Sequence, residues 1–411
     1  MVDIFKIAIV FVVILVFLRL KWDIGYVLVI ASCMLFLLYL VPAPKIVTTI
    51  KTTITDAVTI KLFFALTLIR MFEIILREKQ VLARMTDASR HLLKEKRAVI
   101  VSMPMLIGLL PSLGGAYFSA PMVDETTKDL NMPPEEKGFI NYWFRHPWEL
   151  ILPLYPGVLL ASALTGIELR GFILANMPYA LLIVLTGFLF SMRNIKGRFA
   201  KTEMAVPLAK ENGHDNYSGQ RNSSDLMSFF PLAAVLLLVI VFHIELHYSL
   251  GLTVFSIVLF YRLRVAEVIK VIRYGFALNV IVMIFGVMLF KFAMEGSGAV
   301  TQLNRYFSES GIPVISVLFV LPFITGLLTG LTVGFVGSTF PLLISLAGVH
   351  LNQMLFAFAA GYIGVLLSPV HLCLVLTREY FRADMWGIYK KTLPSCGILF
   401  VAAVIEYLLL G

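Results

Sequence analysis

Apolar runs of roughly twenty residues, separated by short charged stretches, recur along the whole chain. That is the length an α-helix needs to cross the hydrocarbon core of a bilayer. The pattern predicts spans at residues 4–20, 24–41 and 60–76, a hairpin region at 103–123, and spans at 139–164 and 170–192. A hydrophilic linker at 193–228 follows. The second half predicts spans at 229–244, 250–261 and 276–294, a hairpin at 321–343, and spans at 353–376 and 393–410. Residues 42–59 are mildly polar and expected along an interface, and 77–97 reads as a loop. The fold class is an all-α polytopic membrane protein of about ten spans plus two hairpins. A β-barrel would show shorter, alternating segments.

The run at 103–123 organises the rest. Pro104, Pro111, Gly114, Gly115 and Pro121 interrupt it, and both residue types break helices from within. Freed backbone groups survive at membrane depth only inside protein or against a watery cavity. The expectation is a re-entrant helical hairpin whose tip forms part of a site. Pro104 and Gly108-Leu109-Leu110 recur as Pro322 and Gly326-Leu327-Leu328, an offset of 218. Gly114 and Pro121 recur as Gly334 and Pro341 after a two-residue shift. Pro153, Gly171 and Pro178 then match Pro369, Gly387 and Pro394 at an offset of 216. Landmarks in one order with so little drift are hard to attribute to composition. The chain reads as a duplication, with repeats at 1–192 and 229–411, each of three spans, a re-entrant hairpin and two spans. Paired interrupted segments in two halves point to a transporter site.

Charge orients the scheme. Residues 77–97 carry seven basic side chains against three acidic ones, and the linker carries six basic ones. Both are expected in the cytoplasm. Two spans separate the first hairpin from the linker, so that hairpin enters and returns on one face. The repeats then have inverted topology, with both termini outside a cell membrane that the chain crosses many times. With 59% hydrophobic and 14% charged residues among 411, the chain has more apolar surface than a soluble domain buries. The net charge of +9 therefore reads as orientation signal and not as a nucleic-acid surface. Arg19 and Lys21 follow the first apolar run, which reads as a retained helix and not a cleaved signal. Cys33, Cys373 and Cys396 lie in apolar segments without metal spacing and read as packing residues. GxxxxGK[ST], HExxH and GxSxG are all absent, so neither an ATPase nor another enzyme is expected.

The segment LIGLLPSLGGAYFSAPMVDE, set in this glycine and proline architecture, resembles the ion-transporter superfamily. That group holds arsenite permeases, gluconate permeases, and citrate and dicarboxylate carriers. More closely, the chain looks like a prokaryotic integral-membrane branch of it. The resemblance covers nearly the whole chain. It implies an inverted-repeat fold, hairpin tips that meet substrate, helices broken after each hairpin, and often an elevator-type homodimer. By position it implies a first tip at Ser112, Gly114 and Gly115, and a second at Thr332, Gly334, Gly337, Ser338 and Thr339. The Ser-Asn-Thr tips of the dicarboxylate carriers are absent.

Hairpin tips aim helix ends at one point, where N-termini suit an anion and unwound carbonyls suit Na⁺. Ser112, Ser119, Ser338 and Thr339 supply hydroxyls for either task, or bond back to their own helices. In FINYWFRHPWELILPLYPG, the residues Arg145, His146 and Glu149 precede Pro153 and Pro156, where a break is expected. Glu149 falls about 15 Å into the span, and charges at that depth are functional candidates. The plain alternative is an Arg145–Glu149 ion pair on one helix face. His146 is either a proton relay or a satisfied histidine near an interface. The matching span breaks at Ser368-Pro369 and offers His371 alone as a titratable candidate. The pairs Arg70/Glu73 and Lys291/Glu295 read as structural, and His243-Ile244-Glu245-Leu246-His247 as interfacial rather than metal-binding.

The residues predict a secondary active transporter moving a small anionic solute, coupled to Na⁺ or H⁺ by alternating access, and together with the resemblance they imply an organic carboxylate. A cation/proton antiporter using Glu149 is the alternative, and a membrane-embedded lipid-processing enzyme is a third. The expected partners are a small-molecule substrate, the lipid bilayer and, from the resemblance, a second copy of the chain. No cofactor beyond Na⁺ as a coupling ion, no metal centre and no nucleic acid are expected.

Overall fold

A computed structural model describes residues 2–93, 95–111, 115–193, 195, 227–299 and 312–410. The tip residues Ser112 and Gly114, and nearly all of the 193–228 linker, lie outside the described residues. The first half holds α1 (Val2–Arg19), α2 (Ile24–Leu38), α3 (Ala43–Thr55), α4 (Ala57–Glu78), α5 (Val81–Leu92), α6 (Lys96–Gly108) and α7 (Gly115–Thr126). It continues with α8 (Pro134–Trp143), α9 (Trp148–Ile151), α10 (Pro156–Thr165) and α11 (Leu169–Gly187). The second half holds α12 (Phe230–Ile240), α13 (Leu246–Phe260), α14 (Val265–Gly275), α15 (Leu278–Ser297), α16 (Val314–Thr329) and α17 (Thr332–Ala347). It ends with α18 (Leu351–Leu367), α19 (Leu372–Phe381) and α20 (Met385–Leu410). No strand occurs among the described residues.

Among the described residues, five stretches are long and apolar enough to cross a bilayer: Pro134–Thr165, Leu169–Met192, Val265–Ser297, Leu351–Phe381 and Met385–Leu410. Five shorter apolar helices accompany them. The chain is a multi-pass all-α membrane protein. Burial ranks the five. Pro134–Thr165 is 72% buried over its apolar window and Leu351–Phe381 is 61%, against 22–44% for the others. Both are broken helices, as is Val265–Ser297 between α14 and α15, and the two most buried breaks form the centre. The largest fully buried side chains, Trp143, Tyr142 and Tyr362, all lie on them. Continuous helices such as α20 turn apolar side chains outward, as lipid contact requires.

Both interrupted hairpins exist as helix pairs, longer than the sequence intervals 103–123 and 321–343. Helices α6 and α7 pack on each other, as do α16 and α17. In the second pair Gly330 closes α16 in the left-handed region (φ +63°), donating N–H to Gly326 O at 2.8 Å. Leu331 is extended, and α17 begins at once.

The stretch 77–97 is not the predicted loop, because it contains α5. Val81, Met85 and Ala88 are buried at helical spacing, an amphipathic period that the basic charge count had masked. The mildly polar 42–59 forms α3, which starts beside Pro42 and Pro44, buries Thr49 and Thr53, and packs on α15.

Candidate functional site: two broken helices and a histidine pair

Proline sets each break. Pro147 has no N–H, and its ring would collide with the carbonyl four residues back, on Trp143. Accordingly α8 ends at Trp143, whose carbonyl accepts instead from His146 N at 3.2 Å. Leu152 and Tyr155, the residues before Pro153 and Pro156, are extended. In the second half Ser368 is extended before Pro369, and Val365 O accepts from Ser368 N at 3.1 Å. The hairpins abut the breaks. A Cβ on Gly108 would lie 2.6 Å from Arg145 O, and one on Gly330 would lie 2.8 Å from His371 Cα. Only glycine allows that approach.

Breaking helices in an apolar interior strands carbonyls, and tyrosine hydroxyls recover them. Tyr142 of α8 donates to Leu366 O at 2.9 Å, at the end of α18. In return, Tyr362 of α18 donates to His146 O at 2.6 Å, at the α8–α9 break. Tyr155 donates to Gly108 O at 2.6 Å on the first hairpin, and Trp148 Nε1 to Met105 O at 2.8 Å. The two broken helices thus brace each other. Tyr362→Phe should lower stability by about 1–3 kcal/mol, the cost of one unsatisfied buried carbonyl. A thermal melt in detergent reads it, and an unchanged melt would remove the bracing role.

At the crossing, His146 and His371 meet. Their Nε2 atoms are 2.9 Å apart, with the rings tilted by 55°. His146 Nδ1 lies 2.6 Å from Tyr142 O, and His371 Nδ1 lies 2.6 Å from Gly330 O. Cys373 Sγ joins them, the three ligand atoms lying within 4.8 Å of one another. Glu149 Oε1 is 3.9 Å from His146 Nε2. Arg145 is 4% exposed, and its Nη1 has no hydrogen-bond partner. The family described as "Protein of unknown function (DUF401)" matches residues 2–410. The chain belongs to the DUF401 family. No curated protein matches it.

The DUF401 chain brings together Arg145, His146, Glu149 and His371, and adds Cys373, which the sequence offered only as packing. The Arg145–Glu149 ion pair does not form, because the break at 144–147 removes the continuous helix turn it needed. His146 is fully buried. Thr332 lies against Gly157 at the start of α10, where a Cβ would come within 2.6 Å of its side chain. Gly115 opens α7.

Ser119 donates to Asn141 Oδ1 at 2.6 Å, and Asn141 Nδ2 donates to Ala116 O at 2.9 Å and Thr377 Oγ1 at 2.8 Å. That buried network ties α7, α8 and α19; Asn141 and Thr377 were not singled out by sequence. Ser338 and Thr339 spend their protons on Gly334 O (2.6 Å) and Phe335 O (2.7 Å) of their own helix. Gly334 faces Thr329 across the hairpin, and Gly337 faces Val287 and Leu28, so it serves helix packing and not the tip.

The remaining polar groups lie elsewhere. Arg70 Nε donates to Tyr274 O at 3.0 Å rather than closing on Glu73. Glu245 pairs with Lys61 at 2.9 Å, and His243 sits in a left-handed turn (φ +57°), so the alternating His-Glu-His run is not a helix face.

Proposed function

We propose that the protein is a secondary active transporter for a small anionic solute, an organic carboxylate, working by alternating access with H⁺ or Na⁺. The observation that carries this reading is Arg145. A guanidinium buried at a helix break, unpaired with Glu149 and with an orphaned Nη1, is costly by several kcal/mol. A bound carboxylate supplies the missing charge and acceptors. The adjoining starts of α10 and α17, at Gly157 and Thr332, add the partial positive charge of helix N-termini.

In this reading the halves 1–192 and 229–411 are inverted repeats. The broken spans Pro134–Thr165 and Leu351–Phe381 correspond at the 216-residue offset of the sequence landmarks. The hairpin pairs and broken helices form the moving bundle, and the basic stretches and linker face the cytoplasm. Ser338 and Thr339 keep lone pairs for an ion after their protons are used.

The test is thermal stabilisation of the purified protein by a panel of carboxylates, with and without Na⁺ and across pH. A ligand at 100 times its Kd stabilises by about 2.7 kcal/mol. A panel without any shift would overturn the anion reading. A shift with Na⁺ or pH alone would favour the second reading, a cation/proton antiporter using Glu149, whose carboxylate lies 3.9 Å from His146 Nε2.

A further inference from the structure

The hydrogen bonds of the histidine pair fix what can lie between the rings. A neutral imidazole carries one donor and one acceptor nitrogen. Carbonyl oxygens only accept, so His146 Nδ1 donates to Tyr142 O and His371 Nδ1 donates to Gly330 O, each at 2.6 Å. Both Nε2 atoms are then bare lone pairs, and they point at each other across 2.9 Å. Two lone pairs at that separation repel. A positive species belongs between them.

We propose that His146, His371 and Cys373 form a binding site for a divalent transition-metal ion of the Zn²⁺ class, with Glu149 beside the fourth position. The Cys373 thiol hydrogen-bonds His146, and its one proton serves a single Nε2, so the other lone pair still faces it unmet; an ion held by both nitrogens and the thiolate satisfies all three. Cys373 Sγ lies with both Nε2 atoms inside one 4.8 Å group. Both rings also carry the outer-shell bond, Nδ1–H to a backbone carbonyl, that orients metal-ligating histidines and selects the Nε2 donor. Glu149 Oε1, 3.9 Å from His146 Nε2, brings negative charge and an oxygen ligand. Two imidazoles and a thiolate suit borderline and soft ions, and not Mg²⁺ or Ca²⁺. Three protein ligands with an open fourth position also leave room for water or a solute.

The ligands come from the two halves of the sequence. His146 lies between α8 and α9, and His371 and Cys373 lie at the start of α19. A bound ion would therefore pin the two broken helices together where the Tyr142 and Tyr362 braces already hold them. Metal binding is read without transport, so its outcome is separable from that of the carboxylate reading.

The experiment titrates Co²⁺, then Zn²⁺, into the full-length protein after chelator treatment in detergent. Expected are one Co²⁺ per chain, visible d–d bands and a sulfur-to-cobalt charge-transfer band, all displaced by one equivalent of Zn²⁺. Cys373→Ser should abolish the charge-transfer band and weaken binding, and His371→Gln should weaken it by at least about tenfold. Cys396→Ser, whose thiol is buried on α20, should keep both bands. Metal-free melts of each variant report whether it folds, and the wild-type bands stand whatever the variants do. Wild-type protein without stoichiometric binding, Co²⁺ binding without the thiolate band, or a band that survives Cys373→Ser would each overturn the proposal.

Discussion

Arg145→Gln is expected to weaken carboxylate-induced stabilisation strongly while leaving the ligand-free protein at least as stable as wild type. The two halves of that outcome come from one fact. The guanidinium is 4% exposed and its Nη1 has no partner. Hydrogen bonds to charged groups contribute about 1.5–3 kcal/mol, so affinity should fall roughly 10- to 150-fold. A buried charge with an orphaned donor destabilises the fold that contains it even with Glu149 and Cys373 in its field, and glutamine removes that charge while keeping most of the shape. Arg145→Lys should behave in between, since it keeps the charge but not the bidentate fork. Paired melts with and without the carboxylate decide. If Arg145→Gln loses stability and still responds to ligand, Arg145 is a structural cation and the anion site lies elsewhere.

The sequence was most informative where a single residue dictates the backbone. Proline lacks a donor and glycine tolerates close approach, so Gly108, Gly326 and Pro369 marked the hairpins and a break before any contact was known, whereas Pro104 and Pro322 sit inside α6 and α16 without ending them. Pro147 is the converse. Weight on Pro153 and Pro156 found the break at 152–155 but missed the one at 144–147, and the ion pair weighed as the plain alternative for Arg145 and Glu149 needed a helix turn that Pro147 had already interrupted.

Side-chain meetings across the halves were not legible. Tyr142 with Leu366, and His146 with His371, join residues 224 and 225 positions apart, and periodicity says nothing about which remote face meets which. One signal was available. At the 216-residue offset, Tyr362 stands opposite His146 and His371 opposite Tyr155. Each break is therefore served by a polar ring from its counterpart. Cysteine spacing failed for a similar reason, because local motifs cannot reveal a ligand set assembled from two distant breaks.

Gly364→Ala is expected to cost more than any surface substitution in the protein, and to weaken the histidine pair with it. Helices α16 and α18 approach until backbone meets backbone. A Cβ on Gly364 would collide with Phe323 O and come within 2.9 Å of Leu327 N; one on Gly326 would collide with Gly361 O and come within 3.1 Å of Val365 N. These obstacles are main chain, so no rotamer change can clear them. Without a hydrophobic force between helices in lipid, such small-residue contacts carry much of the association. Overpacking costs about 1–3 kcal/mol and occasionally more, and Gly364→Val should exceed Gly364→Ala. Gly397→Ala on α20, with nothing within 4 Å of the added methyl, should be neutral or gain up to about 1 kcal/mol of helix propensity. The consequence for the site follows from connectivity. Helix α16 ends at Gly330, whose carbonyl holds His371 Nδ1. Pushing α16 off α18 moves that acceptor and frees the ring to turn. Gly364→Ala should therefore melt earlier than wild type and bind Co²⁺ more weakly, although it touches none of the three ligands. Unchanged melting would show that the backbones do not meet at Gly364. Earlier melting with undiminished Co²⁺ affinity would show that Gly330 does not set the orientation of His371.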